Sequence, residues 1–224
     1  MSLKPSMMPR CRLKRWKNCV ENLNNRNENR TQMQPHEINA ENNFIMGWYP
    51  EDTAFCDVVL DYYNSKTPYR GFSSGGVNLE IKDSFDVVWA GDADFTAFFV
   101  NLQKCADAYI NKYEHCNNQS AWAVLEDVNI QKYLPQGGYH VWHCERTGSS
   151  SMTNTRHLVF MTYLNDVTDA GETEFFYQKA KIKPKKGLTL IWPADWMFTH
   201  RGVASPTQEK TIITGWFNYI PPNL

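Results

Sequence analysis

The sequence predicts a mainly β protein, with a jelly-roll-type β architecture in its second half and flanking α-helices in its first. Three observations support this fold class. The 224 residues suffice for one domain with a sizeable core, and 42% of them are hydrophobic and 14% aromatic, as in a packed globular protein. Apolar residues recur at helical spacing before residue 121. Beyond it, short strand-like runs are separated by Gly, Pro, Asn and Asp.

Residues 1–43 differ in composition from the remainder, and we expect a loosely ordered tail there. Six basic residues precede the first acidic one, Glu21, and an Asn-rich polar run follows. Such a segment has little apolar surface to bury. A basic arm for nucleic acid or a targeting peptide is the functional alternative, but short charge runs are usually only solvated. Residues 44–224 are predicted to form one catalytic or binding domain, with helical support over 44–120 and the β core over 121–224.

One strand and two helices are predicted in the supporting region. Residues 44–48 form a short apolar run, and after Pro50 a helix carries one apolar face, made of Phe55, Val58, Val59, Tyr62 and Tyr63. Apolar residues at three- and four-residue steps then predict a longer helix from 94 to about 116. Because an aromatic stripe of this kind is typical of core packing, we expect both helices to lie against a sheet.

Six strands are predicted after residue 121, over 122–133, 139–145, 156–164, 173–178, 187–192 and 210–219. The segment ERTGSSSMTNTR between the second and third of these strands is long, small and polar. We expect it to be a mobile lid beside whatever site the sheet carries.

Charge and cysteine content restrict the class of protein further. The formal net charge of −1 provides no global field for nucleic acid or anionic membrane. The six cysteines have no CxxC pair, which argues against a structural zinc site and a disulfide framework and favours a reducing, cytoplasmic setting. No run of 18 or more apolar residues occurs, so we expect a soluble protein with no membrane partner.

The candidate metal ligands lie in the segment YLPQGGYHVWHCE and beyond it. On a strand, His143 and Glu145 would point to one face and Cys144 to the other. His200, in the segment WMFTHRG, offers a third ligand. Two histidines and one carboxylate are the ligand set of non-haem iron(II) oxygenases, which keep positions open for substrate and dioxygen. The His-x-Glu pair alone is a weak signal, because a strand histidine is more often a packed or solvated residue.

The run from 133 to 219 resembles the double-stranded β-helix core of Fe(II)/2-oxoglutarate oxygenases, especially the prolyl 4-hydroxylase-like branch. Five elements agree in order and spacing over about ninety residues. They are the Tyr- and Gly-rich turn with its His-x-acid pair, Arg156 before a TYLN strand, GETEFF at 171–176, the distal His200, and a basic residue ten positions later, Lys210. The chain departs from the pattern at Glu145, where the family mostly has Asp. Glutamate keeps the carboxylate and adds one methylene, so we still expect the metal to be held.

The resemblance implies an Fe(II)- and 2-oxoglutarate-dependent dioxygenase that uses O2, releases succinate and CO2, and hydroxylates an organic substrate. The implied substrate is a prolyl or other residue in a peptide or protein, and ascorbate would be an accessory reductant. His143, Glu145 and His200 would be the catalytic metal ligands. Lys210 would pair with the far carboxylate of 2-oxoglutarate, and an isolated strand lysine would otherwise be read as solvent-facing. Tyr133 and Tyr163 would line the co-substrate pocket.

Other interpretations stay open at this point. Arg156 would either organise the site or form a structural ion pair. A cupin-like metalloenzyme could use the same three ligands without 2-oxoglutarate, which predicts no role for Lys210 and no succinate. In a non-catalytic jelly-roll binding module the His and Glu residues would be incidental. A small-molecule substrate is also open, because a fold does not determine a substrate.

Overall fold

The computed structural model describes residues 34–37, 43–73 and 75–221. The strands within these residues are β1 Gln34–Glu37, β2 Met46–Tyr49, β3 Tyr69–Arg70, β4 Phe85–Trp89, β5 Trp122–Val124, β6 Val128–Tyr133, β7 Arg156–Tyr163, β8 Thr173–Phe175, β9 Ala180–Ile182, β10 Thr189–Pro193, β11 His200–Gly202 and β12 Lys210–Tyr219. The α-helices are α1 Ala54–Asn64, α2 Thr96–Lys112 and α3 Ser151–Asn154, and Glu114–Asn117 and Trp196–Phe198 are short 3₁₀ helices.

The strands form two antiparallel sheets. The larger sheet has the order β1-β2-β10-β7-β12-β6-β4-β3, and β5 pairs with the far end of β12. The smaller sheet has the order β11-β8-β9. Two packed antiparallel sheets with helices beside them confirm the predicted fold class, a mainly β jelly roll with flanking α-helices.

Strand β7 separates the two halves of the core. Its side chains alternate, so that Leu158 and Phe160 pack with the helices whereas Val159, Met161 and Tyr163 face the other way, toward the smaller sheet. The first half contains the apolar faces of α1 and α2. The prediction is wrong for Val58 of α1, which is 49% exposed, whereas Phe55, Val59, Tyr62 and Tyr63 are buried as predicted. The helices therefore cover one face of the larger sheet and leave its opposite face for the site.

The long strands agree best with the prediction, and the segment 139–145 agrees least. The predicted 210–219 and 156–164 are β12 and β7, whereas 122–133 divides into β5 and β6. The predicted strand over 139–145 is wrong as a regular strand, since only isolated bridges occur at Tyr139 and His143. The reason is that its amides bond to three separate parts of the chain, at Ile81, His200 and Ala194.

Some predictions on the N-terminal half and the lid stay predictions. Strand β1 was not predicted and lies inside the proposed tail, while residues 1–33 and 38–42 lie outside the described part, as do Cys11 and Cys19. The proposed lid contains α3, whose first turn is closed by reciprocal hydrogen bonds between Ser150 and Thr153. Cys56, Cys116 and Cys144 are free thiols. No described helix is both long and apolar enough to cross a membrane.

Replacing Gly215 with Ala is expected to destabilise the fold by about 1–3 kcal/mol, the usual cost of overpacking a core. A Cβ atom at this position of β12 would collide with the ring of Phe160, which is fully buried on β7. Urea denaturation measures the loss as a lower midpoint. Gly75→Ala is the control, because a Cβ there meets nothing within 4 Å; equal midpoints for the two variants would contradict the packing assigned to β7 and β12.

Candidate metal centre

Three side chains converge on one point beside the smaller sheet. His143, Glu145 and His200 each offer one ligand atom, and these atoms lie within 4.8 Å of one another. The Oε1 atom of Glu145 is 3.5 Å from Nε2 of both histidines. Paired backbone hydrogen bonds of 3.0 and 2.9 Å between His143 and His200 tie the two segments together. The structure thus brings together all three predicted ligands although 139–145 is not a regular strand.

Backbone carbonyl groups orient both imidazole rings. Nδ1 of His143 lies 3.1 Å from the carbonyl oxygen of Val141, and Nδ1 of His200 lies 2.8 Å from that of Phe198. Because a carbonyl oxygen only accepts, each Nδ1 is assigned the hydrogen, and each Nε2 presents its lone pair to the centre. This is the tautomer that a histidine needs in order to bind a metal through Nε2.

The protonation states also suit a cation. Burial alone would raise the pKa of Glu145, but hydrogen bonds and positive charge from the protonated forms of His143 and His200 outweigh it and hold the pKa well below its usual value. Burial lowers the pKa of His200, and the proximity of His143 lowers it further. An ionised carboxylate beside a neutral imidazole is a donor set that fits a divalent metal ion.

The second carboxylate oxygen of Glu145 is held by the protein. Oε2 accepts a hydrogen bond of 3.0 Å from Nε1 of Trp216 and one of 3.3 Å from Nη1 of Arg156. Arg156 also forms two hydrogen bonds, of 2.7 and 2.8 Å, with the carboxylate of Glu126. Arg156 therefore combines both alternatives, a structural ion pair and a contact with the site.

Glu126 and Trp216 were missed by the sequence analysis. Trp216 lies within the predicted strand 210–219, and it follows Lys210, Ile212 and Thr214 at every second position of β12, so that all four line one cavity. That alternation was a usable signal. Nothing in the sequence marked Glu126, because its contact with Arg156 joins residues 30 positions apart.

A cavity of about 660 Å³ opens from the three converging side chains and is lined by both sheets. Lys210 lies in it with 4% exposure, so it is not solvent-facing. Its Nζ donates to the carbonyl oxygens of Gly171 at 2.8 Å and Val203 at 3.0 Å. Within the described ranges, no carboxylate lies at ion-pair distance from Lys210. Burial lowers its pKa to about 8, although the charge of Glu172 acts in the opposite direction.

The two predicted tyrosines also line this cavity. The hydroxyl of Tyr133 donates to Oε1 of Gln131 at 2.6 Å, and its ring lies 5.2 Å from Nζ of Lys210. The hydroxyl of Tyr163 is bonded to Oγ1 of Thr173 at 2.5 Å. Tyr139, which was not predicted to have a role, stacks on the ring of His143 at 3.7 Å. The other end of the cavity reaches Tyr69 and Phe72 beside β3.

A jelly-roll β core with two imidazoles and one carboxylate around one point is the arrangement of 2-His-1-carboxylate metal proteins. Residues 128–218 match the family model of the 2OG-Fe(II) oxygenase superfamily. The match covers less than half of the chain, but it includes β6 to β11 and all of β12 except its last residue, Tyr219, and it confirms the resemblance read from the sequence. No curated protein matches the chain by sequence.

Solved prolyl hydroxylases share the fold. The viral collagen prolyl hydroxylase of Paramecium Bursaria Chlorella virus-1, in its 2OG complex, is 20% identical with a TM-score of 0.60, over 83% of this chain and all of that one. A Trichoplax adhaerens prolyl hydroxylase in complex with a hypoxia inducible factor peptide fragment is 17% identical with a TM-score of 0.59, over 94% of both chains. A Pseudomonas putida prolyl-4-hydroxylase is 15% identical with a TM-score of 0.57, over 75% of this chain and 86% of that one.

Proposed function

We propose that the protein is an Fe(II)- and 2-oxoglutarate-dependent dioxygenase that hydroxylates an organic substrate and releases succinate and CO2. The observation that carries the proposal is the pairing, in one cavity, of the three-residue donor set with the buried ammonium of Lys210. A buried cation without an acidic partner is costly. An anionic ligand that enters the cavity would relieve this cost.

In this proposal His143, Glu145 and His200 hold the iron, and Lys210 pairs with the far carboxylate of 2-oxoglutarate. Tyr133 and Tyr163 form walls of the co-substrate end, since both rings line the cavity and both are almost fully buried. Iron with 2-oxoglutarate and dioxygen supplies the oxidising chemistry, and ascorbate is assigned the role of accessory reductant. The chain contributes binding, orientation and exclusion of water.

The substrate we propose is a prolyl residue in a peptide or protein. The structural neighbours include a collagen prolyl hydroxylase and a prolyl hydroxylase bound to a peptide fragment. The cavity is also open toward β3, where Phe72 is 60% exposed, so an extended chain could approach from that side. The support for a prolyl substrate is similarity of fold. A small molecule is the alternative substrate, and the test must distinguish the two.

Succinate formation tests the proposal. Iron-loaded protein is incubated with 2-oxoglutarate and a panel of proline-containing peptides, free amino acids and no substrate. We expect slow turnover without substrate and faster turnover with peptides that contain proline. Stimulation only by free amino acids would overturn the peptide substrate. Metal binding without any succinate would favour the cupin-like alternative, and absence of stoichiometric iron would favour the binding module.

The affinity for 2-oxoglutarate is expected to fall as the pH rises through about 8. Because burial lowers the pKa of Lys210 to about 8, the ammonium that pairs with the co-substrate is lost above that pH. Below about 8 the lysine is protonated and affinity is retained. Titration of the metal-loaded protein with 2-oxoglutarate between pH 7 and 9 measures the effect. Lys210→Arg is the control, since a guanidinium stays protonated; an equal slope in both proteins would contradict the assignment.

A further inference from the structure

The two carboxylate oxygens of Glu145 have different surroundings. Oε1 lies 3.5 Å from both imidazole Nε2 atoms and faces the point where the donor atoms converge. Oε2 accepts hydrogen bonds from Nε1 of Trp216 and Nη1 of Arg156. Oε1 is thus placed to bind a cation, whereas Oε2 is already hydrogen-bonded to the protein.

The donors to Oε2 are themselves immobilised. Arg156 uses Nε and Nη2 on Glu126, and its Nη1 also donates to the backbone carbonyl of Glu145 at 3.1 Å. Its guanidinium lies 3.5 Å from the centroid of the Trp216 ring, and Asn218 donates to Glu126 at 2.9 Å. The side chains of Arg156 and Glu126 are only 13% and 15% exposed. A bidentate ion pair at this depth holds its geometry better than a surface pair.

This arrangement bears on the unusual ligand. Glutamate has one more rotatable bond than aspartate, so its carboxylate can turn and offer both oxygens to a cation. The extra methylene also extends the carboxylate by about 1.5 Å, toward the indole N–H and the guanidinium that hold Oε2. An aspartate at this position would be shorter by that length, and the same donors would not reach it equally.

We propose that Trp216 and Arg156, with Glu126 behind them, are positioning residues that let Glu145 serve in place of aspartate by reserving Oε2 and presenting only Oε1 to the metal. The inference rests on the proposed metal centre and adds to it. Trp216 and Arg156 do not contact the metal in this proposal, and they act through Glu145.

The test is metal binding by Trp216→Phe, which keeps an aromatic side chain and removes the N–H donor. Loss of an outer hydrogen bond to a metal ligand typically weakens metal affinity about 10–100-fold, and we expect a loss in this range for Mn²⁺ and Co²⁺. In the Co²⁺-loaded variant we also expect weaker visible absorption than in the parent, because a second carboxylate oxygen raises the coordination number. Glu126→Gln, which breaks the pair with Arg156, is expected to change both readouts in the same direction.

Trp122→Phe is the matched control. Trp122 lies on β5 and packs against Phe217 on the neighbouring β12, and its buried Nε1 has no hydrogen-bond partner in the described structure. This variant should bind both metals as the parent does. In a Glu145→Asp background, Trp216→Phe should change the metal affinity by less than about twofold, because the shorter aspartate side chain does not depend on the indole N–H.

The outcomes separate two failures. If the parent binds metal and Trp216→Phe has the parent affinity and Co²⁺ spectrum, the positioning role is overturned and the metal centre stands. The positioning role is also overturned if Trp216→Phe lowers the metal affinity equally in the parent and in the Glu145→Asp background, because the effect would then be independent of glutamate. A parent protein without stoichiometric metal overturns the metal centre and this inference with it. Circular dichroism of each variant verifies that it is folded.

Discussion

His200→Ala is expected to abolish iron binding and the turnover of 2-oxoglutarate that occurs without substrate, and His143→Ala should do the same. Each imidazole supplies one of three protein ligands, and each presents Nε2 to the centre because its Nδ1 donates to a backbone carbonyl. Loss of an outer partner alone costs about 10–100-fold in metal affinity, so loss of a ligand should cost more. Iron analysis after anaerobic loading and succinate formation measure the effect.

His140→Ala is the matched control for both variants. His140 is half-buried and belongs to the same segment, but its side chain is not among the converging ligands. The His140→Ala variant should bind iron and turn over 2-oxoglutarate as the parent does. Retained turnover in His143→Ala or His200→Ala would remove that residue from the ligand set.

Lys210→Met is expected to raise the requirement for 2-oxoglutarate by about 10–100-fold while leaving metal affinity unchanged. A hydrogen bond to a charged group contributes about 1.5–3 kcal/mol, and each 1.4 kcal/mol is a factor of ten. Methionine keeps most of the volume of this buried side chain, so the substitution removes the charge without opening a large cavity. The concentration of 2-oxoglutarate at half-maximal succinate formation is the measurement.

Lys132→Met controls for the loss of a lysine from the same sheet. Lys132 lies on β6, beside β12, and its ammonium pairs with Glu209 at 2.8 Å. The Lys132→Met variant should need the same concentration of 2-oxoglutarate as the parent. An unchanged requirement in Lys210→Met would exclude Lys210 from the co-substrate site and would favour the cupin-like alternative.

Much of the fold could be predicted because β7 and β12 are long, apolar and bounded by turn residues, so the local pattern determines them. The segment 139–145 could not be predicted in this way. Its amides bond to Ile81, His200 and Ala194, and no local pattern reveals partners so distant along the chain. Strand β3 has only two residues, Tyr69–Arg70, which is too short for periodicity to detect.

The residues of the site also fall into two groups, those that a local pattern predicts and those that depend on distant contacts. His143 and Glu145 share a local motif, and the spacing between His200 and Lys210 belongs to the family pattern, so these residues could be named in advance. The residues that hold Glu145 could not. Glu126 and Trp216 meet at Arg156, which contacts Glu145, only because β12 lies between β6 and β7 in the sheet and so places distant parts of the chain side by side.

The paired backbone bonds between His143 and His200 have a consequence for how a metal would enter. They join two segments 57 residues apart (200 − 143), so the entropy of closing that loop is already lost when the sheets form. Zinc fingers differ, because in them the cation itself drives folding. Here the protein is preorganised, and an arriving ion would meet donors that folding has already assembled.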